Sequence, residues 1–508
     1  MTNREKTKLQ YLSEPSSMLY KPPFKRGMNR QYWRGNYDTA EYNERVQVSL
    51  PDISYMTVPQ KRFLMELDPM SHDIIDDVNV PSICVKLQGK GGGYQEIKYP
   101  RMPLPIQKNI KDSKAMHLCA NKMVFTLMDK RPTAKQKSDF VIFKQFWDLR
   151  NQDGMKYKMV DTQLGVGDAG LLYYFDYKGR IKSRILSYPK YTLIPINDDN
   201  GDRLLECVYY ADKEFDRLDV YDDTYIYRFI NKVRTDADMD SEDSFYLESN
   251  PTAHGFDEIP LITKRGDVAW NDVESLIETK EIIYNIYNVI QKRQGWGILF
   301  LRGSIGQKLD VLNGSLIAKA NGVDSEKADM KYLTPPTGEG MKQAMDSLDE
   351  EIQKGAGFTS ILPKDVKTGG DISGVAVQLT MTLDNQTSNL LVIDWQNVAD
   401  KMVRLFKQGL AKELVANGIQ ETAITDFENL HINAKFKPWR PFSETEYNNM
   451  LVSLKRAGLI SEKTGVEKNT ESSPDEEERI EEEKKAEPQM QVAVDTQIDG
   501  NAEKGGAL

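Results

Sequence analysis

Two helical patterns that enclose a short β-like segment constrain the fold of this chain more than any single motif. The first, NDVESLIETKEIIYNIYNVIQKR at 271–293, starts with capping residues, carries apolar residues on one face and ends in two basic residues, as the helix dipole prefers. Residues 295–332 then change to short, glycine-containing β-like pieces, and a second helical pattern follows over 339–354. Because the chain enters and leaves this module through the helix pair, the module can project from the rest of the protein.

A second long helical pattern lies nearer the C-terminus. The glycine-rich stretch AGFTSILPKDVKTGGDIS at 356–373 is longer than loops without a function usually are. Residues 374–417 then keep a helical apolar period that only the polar stretch DNQTSN at 384–389 interrupts, so we expect a bend there. The strand-like LHINAKFKPW at 430–439 and a short helix over 444–457 follow.

The first half of the chain mixes helical and strand patterns. Residues 1–60 combine basic, aromatic and proline residues without a period, which predicts an extended arm that orders against a partner, or a disordered leader. A hairpin is predicted over 82–99, a helix over 106–128 that ends before a proline, and a shorter helix over 139–150. Residues 155–264 are predicted to be rich in strands.

Two motifs that resemble ligand-binding loops do not fit their context. Gly165, Gly167 and Gly170 have the spacing of a dinucleotide-binding fingerprint, but an apolar, aromatic strand pattern follows them where a helix would be needed. The turn NDDNGD at 197–202 resembles a calcium loop, but Ile196 stands where the first carboxylate ligand is required. Both stretches are therefore interpreted as parts of β-hairpins.

The charge of the chain is concentrated at its C-terminal end. Of the net charge of -10, residues 466–508 carry -8, with 13 acidic and 5 basic residues, which leaves -2 for the preceding 465. A nearly neutral body argues against tight binding of nucleic acid through many phosphate contacts, but it permits sliding contact. With no apolar run of membrane-spanning length and no apolar signal region, we expect synthesis in the cytoplasm and no membrane association.

The residue types that carry out catalysis or bind metals in other proteins form no recognisable motif in this sequence. There is no phosphate-binding G-x-x-x-x-G-K-[ST] motif, and the 4 histidines occur singly. Three widely spaced cysteines favour neither disulfides nor a zinc site. The dense carboxylates of EEERIEEEKK at 476–485 are typical of a solvated charged segment. We therefore expect no enzyme activity, no metal and no cofactor, although a nuclease built on scattered carboxylates stays open.

The order of these elements resembles the portal proteins of tailed bacteriophages, particularly those of long-tailed phages. Four local strings are similar to family features. HGFDEIPLI at 254–262 is similar to the entry to the portal stem, and DISGVAVQL at 371–379 to the opening of the long wing helix. KRAGLISEKTGVEKN at 455–469 is similar to the family's C-terminal end, and LGVGDAGLLYYFDYKGRI at 164–181 to the hairpin of the wing. The resemblance covers roughly residues 100–485.

The resemblance implies an α+β portal-type fold, assembled as a ring of usually twelve subunits around a DNA channel at one capsid vertex. Such a protein is not an enzyme, because in this family the terminase hydrolyses ATP and cuts DNA. The implied segments are an N-terminal arm (1–60), a β-rich wing (61–270), a stem helix (271–293), a clip (294–336), a second stem helix (337–355), a tunnel loop (356–373), a long wing helix with its returning strand (374–441), a crown (442–470) and an acidic, disordered tail (471–508).

The resemblance also implies partners and contact residues. The partners are further copies of the chain, double-stranded DNA in the channel, the terminase large subunit, the major capsid protein and a head-to-tail adaptor protein, all at the portal vertex of the virion. The candidate residues are Ser360, Lys364, Asp365, Lys367 and Thr368 facing DNA from the tunnel loop, Arg302, Lys308, Asp310 and Lys319 in the clip, and Glu278, Lys280, Lys292 and Arg293 in the stem.

Two other functions compete with the portal interpretation. A metal-dependent nucleic-acid enzyme would act as a monomer or dimer, and another ring-forming virion protein would share the oligomerisation. Only a portal needs a clip between two stem helices, so the module at 294–336 is the feature of the sequence that discriminates.

Overall fold

The computed structural model describes two compact units of the chain. The first consists of Met1–Ser360 with Leu383–Trp439, and the second of Ile361–Thr382 with Arg440–Leu508. The described residues are 3–13, 58–75, 77, 80, 84–88, 94–98, 100–129, 131–198, 200–211, 215–232, 245–294, 298–302, 329–333, 338–358, 382–418, 427, 429–439, 444–460 and 465.

Helices and strands are both abundant, in agreement with the predicted α+β class. The helices are α1 (Asn3–Ser13), α2 (Val58–Leu67), α3 (Ile106–Cys119), α4 (Ala134–Leu149), α5 (Gln152–Val166), α6 (Glu274–Gln294), α7 (Glu339–Ala356), α8 (Thr382–Ala416) and α9 (Glu444–Arg456). The strands are β1 (Cys84–Gln88), β2 (Tyr94–Lys98), β3 (Val124–Leu127), β4 (Asp168–Phe175), β5 (Ile181–Leu186), β6 (Thr192–Asn197), β7 (Arg203–Ala211), β8 (Phe215–Tyr221), β9 (Tyr225–Lys232), β10 (Tyr246–Leu247), β11 (Thr252–Ala253), β12 (Leu261–Arg265), β13 (Ile298–Arg302), β14 (Asp329–Leu333) and β15 (Ile432–Lys435).

Two antiparallel sheets form the β-rich part of the first unit. Strands β6 to β9 pair in sequence order, with β10 and β11 both added to β9. A separate sheet has the order β12-β4-β5, and the β4–β5 hairpin in it confirms the hairpin predicted after the glycines. The β6–β7 connection is a tight turn in which backbone N–H groups of Asn200 and Asp202 donate to the Asp198 carboxylate, as the hairpin interpretation of 197–202 requires.

An aromatic cluster joins the helices of the first unit to each other. Trp147 and Phe143 of α4 contact Phe406 of α8 with ring centroids 5.3 and 5.8 Å apart. Phe125 of β3 lies edge-on to Trp147 at 5.0 Å. Because large aromatic side chains bury the most apolar area per residue, this cluster fixes α8 against the body.

The helix predicted over 106–128 is wrong in its second half. Helix α3 ends at Cys119, and β3 pairs antiparallel with β15, with Phe125 opposite Ala434. The apolar residues at 123 and 127 fit a helical period as well as an alternating strand, and only pairing with a segment some 300 residues away selects the strand. Other predicted elements are confirmed, among them the 82–99 hairpin as β1 and β2.

Two further predictions from the first half of the chain are corrected. Residues 152–166 form helix α5, although 155–264 was predicted to be rich in strands, and the helix ends at Gly167 with φ of +88°. Gly165 lies in this helix and Gly170 in β4, so a helix precedes the strand, in the reverse order of a dinucleotide site. Residues 3–13 form α1, where an extended arm or a disordered leader was expected. Lys8 of α1 pairs with Asp222 at 2.8 Å, which ties this helix to the first sheet.

Helix α8 runs without interruption through the polar stretch at 384–389. Asp384 and Ser388 are both buried, and the Ser388 hydroxyl donates to the Asp384 carbonyl oxygen at 2.7 Å. The polar stretch therefore contributes two buried residues to the packed side of the helix while Gln386 and Asn389 are exposed, and the bend expected there is absent from the continuous helix. Residues 374–381 lie outside the described residues.

The second unit contains α9, which matches the short helix predicted over 444–457. The helix ends where Gly458 adopts φ of +69°, and backbone N–H groups of Gly458 and Leu459 close its last turn. Glycine suits this position because it alone adopts left-handed backbone without strain.

Candidate functional site

The β-like module between the two helical patterns begins and ends as a pair of antiparallel strands. Strand β13 pairs with β14 from Ile298 opposite Leu333 to Arg302 opposite Asp329. The chain enters β13 from α6 and leaves β14 towards α7. The module is thus connected to the rest of the chain through one strand pair and one helix pair. Residues 303–328 lie outside the described residues.

Helices α6 and α7 pack antiparallel, with the start of α7 near Tyr287 and its end near Val273. Close to the start of α7, a Cβ atom at Gly338 would lie 2.7 Å from the ring of Tyr287, and near its end a Cβ at Gly355 would lie 2.6 Å from Val273. Between these points, the Lys280 ammonium pairs with the Asp349 carboxylate. Glycine at 338 and 355 therefore lets the two helices approach closely.

A buried polar contact fixes the middle of α6 to the body. The Asn285 side chain accepts a hydrogen bond from the Met102 N–H (2.8 Å) and donates one to the Met102 carbonyl oxygen (3.0 Å). One turn earlier, Glu281 accepts from the Leu104 N–H at 3.0 Å and lies 3.4 Å from the His72 ring nitrogen. These contacts satisfy backbone groups of 102–104 that would otherwise be buried without partners, so they set the position of the helix.

Glu278 belongs to the same face of α6. It is 8% exposed and lies 3.6 Å from the Arg62 guanidinium, which also pairs with Glu66 at 3.3 Å. The indole N–H of Trp270, immediately before α6, donates to the other Glu66 oxygen at 3.0 Å. A network of charges thus holds the start of α6 against α2.

The described residues on either side of the predicted tunnel loop, Gly357 and the start of α8, are in contact. Gly357, just after α7, has φ of +66°, and a Cβ atom there would collide with the Thr387 hydroxyl in the second turn of α8. The start of α8 is also held to α3, because His117 lies 3.8 Å from the Asp384 carboxylate. Burial lowers the pKa of His117, and the charge of Asp384 partly opposes this effect. The end of α7 and the second turn of α8 are therefore neighbours, and residues 359–381 lie outside the described residues.

The structure describes only some of the candidate residues from the sequence. Glu278 and Lys280 are both engaged in ion pairs within the unit, as described above. Arg302 is the last residue of β13, and Lys292 and Arg293 belong to the final turn of α6, but their side chains lie outside the described residues. The other candidates lie entirely outside the described residues, backbone included: Ser360, Lys364, Asp365, Lys367, Thr368, Lys308, Asp310 and Lys319.

Sequence reasoning missed the polar stripe that anchors α6. Glu274, Glu278, Glu281, Asn285 and Asn288 recur every three or four residues, so they share one face of the helix. In the structure this face turns towards the body, with Glu281 fully buried. The periodicity was visible in the sequence, but a polar stripe on a helix ordinarily faces solvent, so only the burial reveals its role.

The described ranges contain neither a metal-binding cluster nor a membrane-spanning helix. No group of three or more histidine, cysteine or acidic side chains there is arranged to hold a metal ion. Among the helices described, none is both long and apolar enough to cross a membrane.

Comparison with known protein families places these features in context. Residues 95–490 match the family described as phage portal protein, SPP1 Gp6-like. No curated protein matches the chain significantly. The matched region contains the helix pair, the strand pair between them and α8, and the family is one of structural proteins of the virion capsid, not of enzymes. The chain therefore belongs to the SPP1 Gp6-like family of phage portal proteins.

Proposed function

We propose that this protein forms a ring at one capsid vertex, with a central channel through which the terminase packages DNA and through which the DNA later leaves. The observation that carries the proposal is the antiparallel α6–α7 pair with the β13–β14 strands between its ends. In this role the helix pair is the stem that lines the channel, and the segment 294–336 is the clip. A ring of twelve copies follows from the resemblance to portals of long-tailed phages.

The anchoring of α6 supports a stem that transmits load. The helix is fixed to the body by Asn285, Glu281 and Glu278, and to α7 by the Lys280–Asp349 ion pair. Because these contacts engage four polar side chains between Glu278 and Asn285, this part of α6 is held between two neighbours. A rigid stem suits a protein that must carry a projecting clip under the force of packaging.

The loop and the clip are proposed to meet different partners. The contact of Gly357 with Thr387 of α8 supports a loop 356–373 that projects into the channel, where Ser360, Lys364, Asp365, Lys367 and Thr368 would face DNA. In the clip, Arg302, Lys308, Asp310 and Lys319 would face the terminase large subunit and later the head-to-tail adaptor. The wing would contact the major capsid protein, and 442–470 would form the crown.

Negative-stain microscopy and native mass spectrometry of the purified full-length chain test this proposal. We expect rings with a central hole and a mass that is a multiple, near twelvefold, of 58.0 kDa. If only monomers appear, co-expression with the major capsid protein tests whether assembly needs that partner. A chain that stays monomeric under both conditions and cleaves DNA in the presence of magnesium would contradict the portal role and support the nuclease alternative.

A further inference from the structure

A cleft of about 410 Å³ opens between the two sheets of the first unit, away from the stem. The β4–β5 hairpin forms one wall and strands β8 and β9 form the other. Its chemistry is set by six residues: Tyr174, Arg184, Asp219, Tyr221, Ile226 and Arg228. The volume is within the range of sites that hold a small ligand or a few residues of a peptide.

Arg184 is oriented by two aromatic rings. Its guanidinium lies over Tyr174 at 5.7 Å and over Tyr191 at 5.9 Å from the ring centroids. Stacking of this kind uses the faces of the guanidinium and leaves its in-plane N–H donors free. No ion pair or hydrogen bond of the Arg184 side chain occurs in the described structure. A fixed guanidinium with free donors is suited to bind a planar anion through two parallel hydrogen bonds.

A second arginine faces the same cleft. Arg228 of β9 lies directly opposite Asp219 of β8 and attracts its carboxylate, but the Arg228 side chain too has no hydrogen bond or ion pair within 4 Å in the part of the chain described. Asp219 is 8% exposed and accepts a hydrogen bond of 3.4 Å from the Tyr210 hydroxyl. Two guanidiniums against one carboxylate leave the cleft with a net positive charge.

The histidine in the wall does not add to this charge. The His254 Nδ1 accepts from the Phe256 N–H at 3.1 Å, which places the ring proton on Nε2, 3.0 Å from the Asp222 carbonyl oxygen. Burial is the main cause that lowers the pKa of His254, so the ring is neutral at pH 7. The anion-binding groups of the cleft are therefore Arg184 and Arg228.

We propose that this cleft binds an acidic side chain carried by an extended segment of a partner protein. Arg184 and Arg228 would hold the carboxylate, and the apolar surface of Ile226 and Tyr221 would contact the side chain next to it. A DNA duplex is too wide to enter a concave site of this size. The proposal extends beyond the channel function and does not depend on ring formation.

Saturation-transfer NMR with the full-length protein tests the site. The probes are the blocked tetrapeptide acetyl-Gly-Glu-Leu-Gly-amide, the same peptide with glutamine, and a four-nucleotide thymidine strand. We expect the glutamate peptide to bind at least about tenfold more tightly than the glutamine peptide, because a charge-assisted bidentate contact is lost in the second. Arg184→Gln and Arg228→Gln should each abolish that difference.

Arg217→Gln is the matched control, because Arg217 is on the same strand as Asp219 but pairs with Glu248 at 3.1 Å. It removes the same charge and should leave binding of the glutamate peptide within about twofold, since its guanidinium is already engaged. Circular dichroism verifies that all three variants are folded. The proposal is overturned if both peptides bind equally, if neither binds at millimolar concentration, or if only the thymidine strand shows arginine-dependent transfer.

Discussion

One amide side chain, that of Asn285, joins the proposed stem to the body. It satisfies both the N–H and the carbonyl oxygen of Met102, and it is 3% exposed. Asparagine in the interior of a helix is unfavourable by propensity alone. Its presence here is explained by the two backbone groups that it satisfies, so its contribution to stability should be large.

Replacing Asn285 by alanine is predicted to destabilise the protein by about 2–3 kcal/mol, because two backbone groups of Met102 become buried without partners. Urea unfolding followed by circular dichroism measures the change. Asn109 is the matched control, since it is an exposed asparagine in helix α3, and Asn109→Ala should change stability by less than about 0.5 kcal/mol. Equal effects of the two substitutions would show that the Met102 contacts are unimportant.

Asp168, the first residue of β4, is a second buried polar side chain with a measurable signature. It is 2% exposed, and burial raises the pKa of its carboxyl to about 6, although Arg265 and Gln60 oppose the shift. The folded protein therefore retains a proton that the unfolded chain releases at about pH 4. The Asp168 contribution to the free energy of unfolding is fully present below about pH 4 and declines as the pH rises to about 6.

Asp168→Asn is predicted to remove this decline. Relative to the original protein, the stability of the variant should increase by up to about 3 kcal/mol between pH 4 and pH 7, since each pKa unit corresponds to about 1.4 kcal/mol. Urea midpoints at half-unit steps of pH across that interval measure the difference. Parallel pH profiles of the two proteins would mean that Asp168 titrates normally.

At the scale of elements, the α6–α7 pair depends on which glycine at the start of α7 is replaced, the one just before the helix or the one in its first turn. Gly338 has φ of +68° and faces the Tyr287 ring, whereas Gly340, two residues later, is inside the helix with open space around it. The same substitution should therefore have opposite effects at the two positions.

Gly338→Ala is predicted to destabilise the protein by about 1–3 kcal/mol, because alanine is strained at this φ and its methyl group would displace Tyr287. Gly340→Ala is predicted to stabilise it by about 0.5–1 kcal/mol, because alanine favours a helix. Thermal and urea unfolding of the two variants, prepared in parallel, measure both changes. The close packing of α6 and α7 would be refuted by a Gly338→Ala variant as stable as Gly340→Ala.

Elements with a strong local pattern could be predicted from the sequence, and those fixed by distant contacts could not. The helices at 274–294 and 339–356 show their amphipathic period directly. Strand β3 could not be predicted in this way, because Val124–Leu127 becomes a strand only through pairing with β15. Helix α1 was missed because its 11 residues are mostly polar, and its contact with Asp222 is invisible in the local sequence.

The candidate site was predictable in outline but not in its contacts. The order of helix, β module and helix is visible along the chain, since it needs only periodicity and turn signals. The ion-pair partners of Glu278 and Lys280 cannot be read from the sequence, because Arg62 and Asp349 are separated from them by many residues. Glu278, which the resemblance assigns to the stem, takes part in the attachment of α6 to α2 through Arg62.

At the scale of the whole molecule, the proposed clip can be separated from the rest of the chain. Arg302 and Asp329 face each other across the last pair of β13 and β14, so a short linker can join them without disturbing the strands or the helix pair. Replacing 303–328 by a four-residue glycine-serine linker is predicted to leave ring formation intact. Binding of the terminase large subunit should fall by at least about tenfold, because its proposed contact surface is removed.

The connection between β9 and β10 supplies the matched control for this deletion. Residues 233–244 also join two paired antiparallel strands, with Ile230 opposite Tyr246, and replacing them by the same linker should preserve both rings and terminase binding. Native mass spectrometry measures assembly, and co-purification with the tagged terminase subunit measures binding. If the variant without 303–328 binds terminase as well as the control, the docking surface is elsewhere. If that variant alone fails to form rings, the module serves assembly, and the clip assignment of 294–336 is wrong.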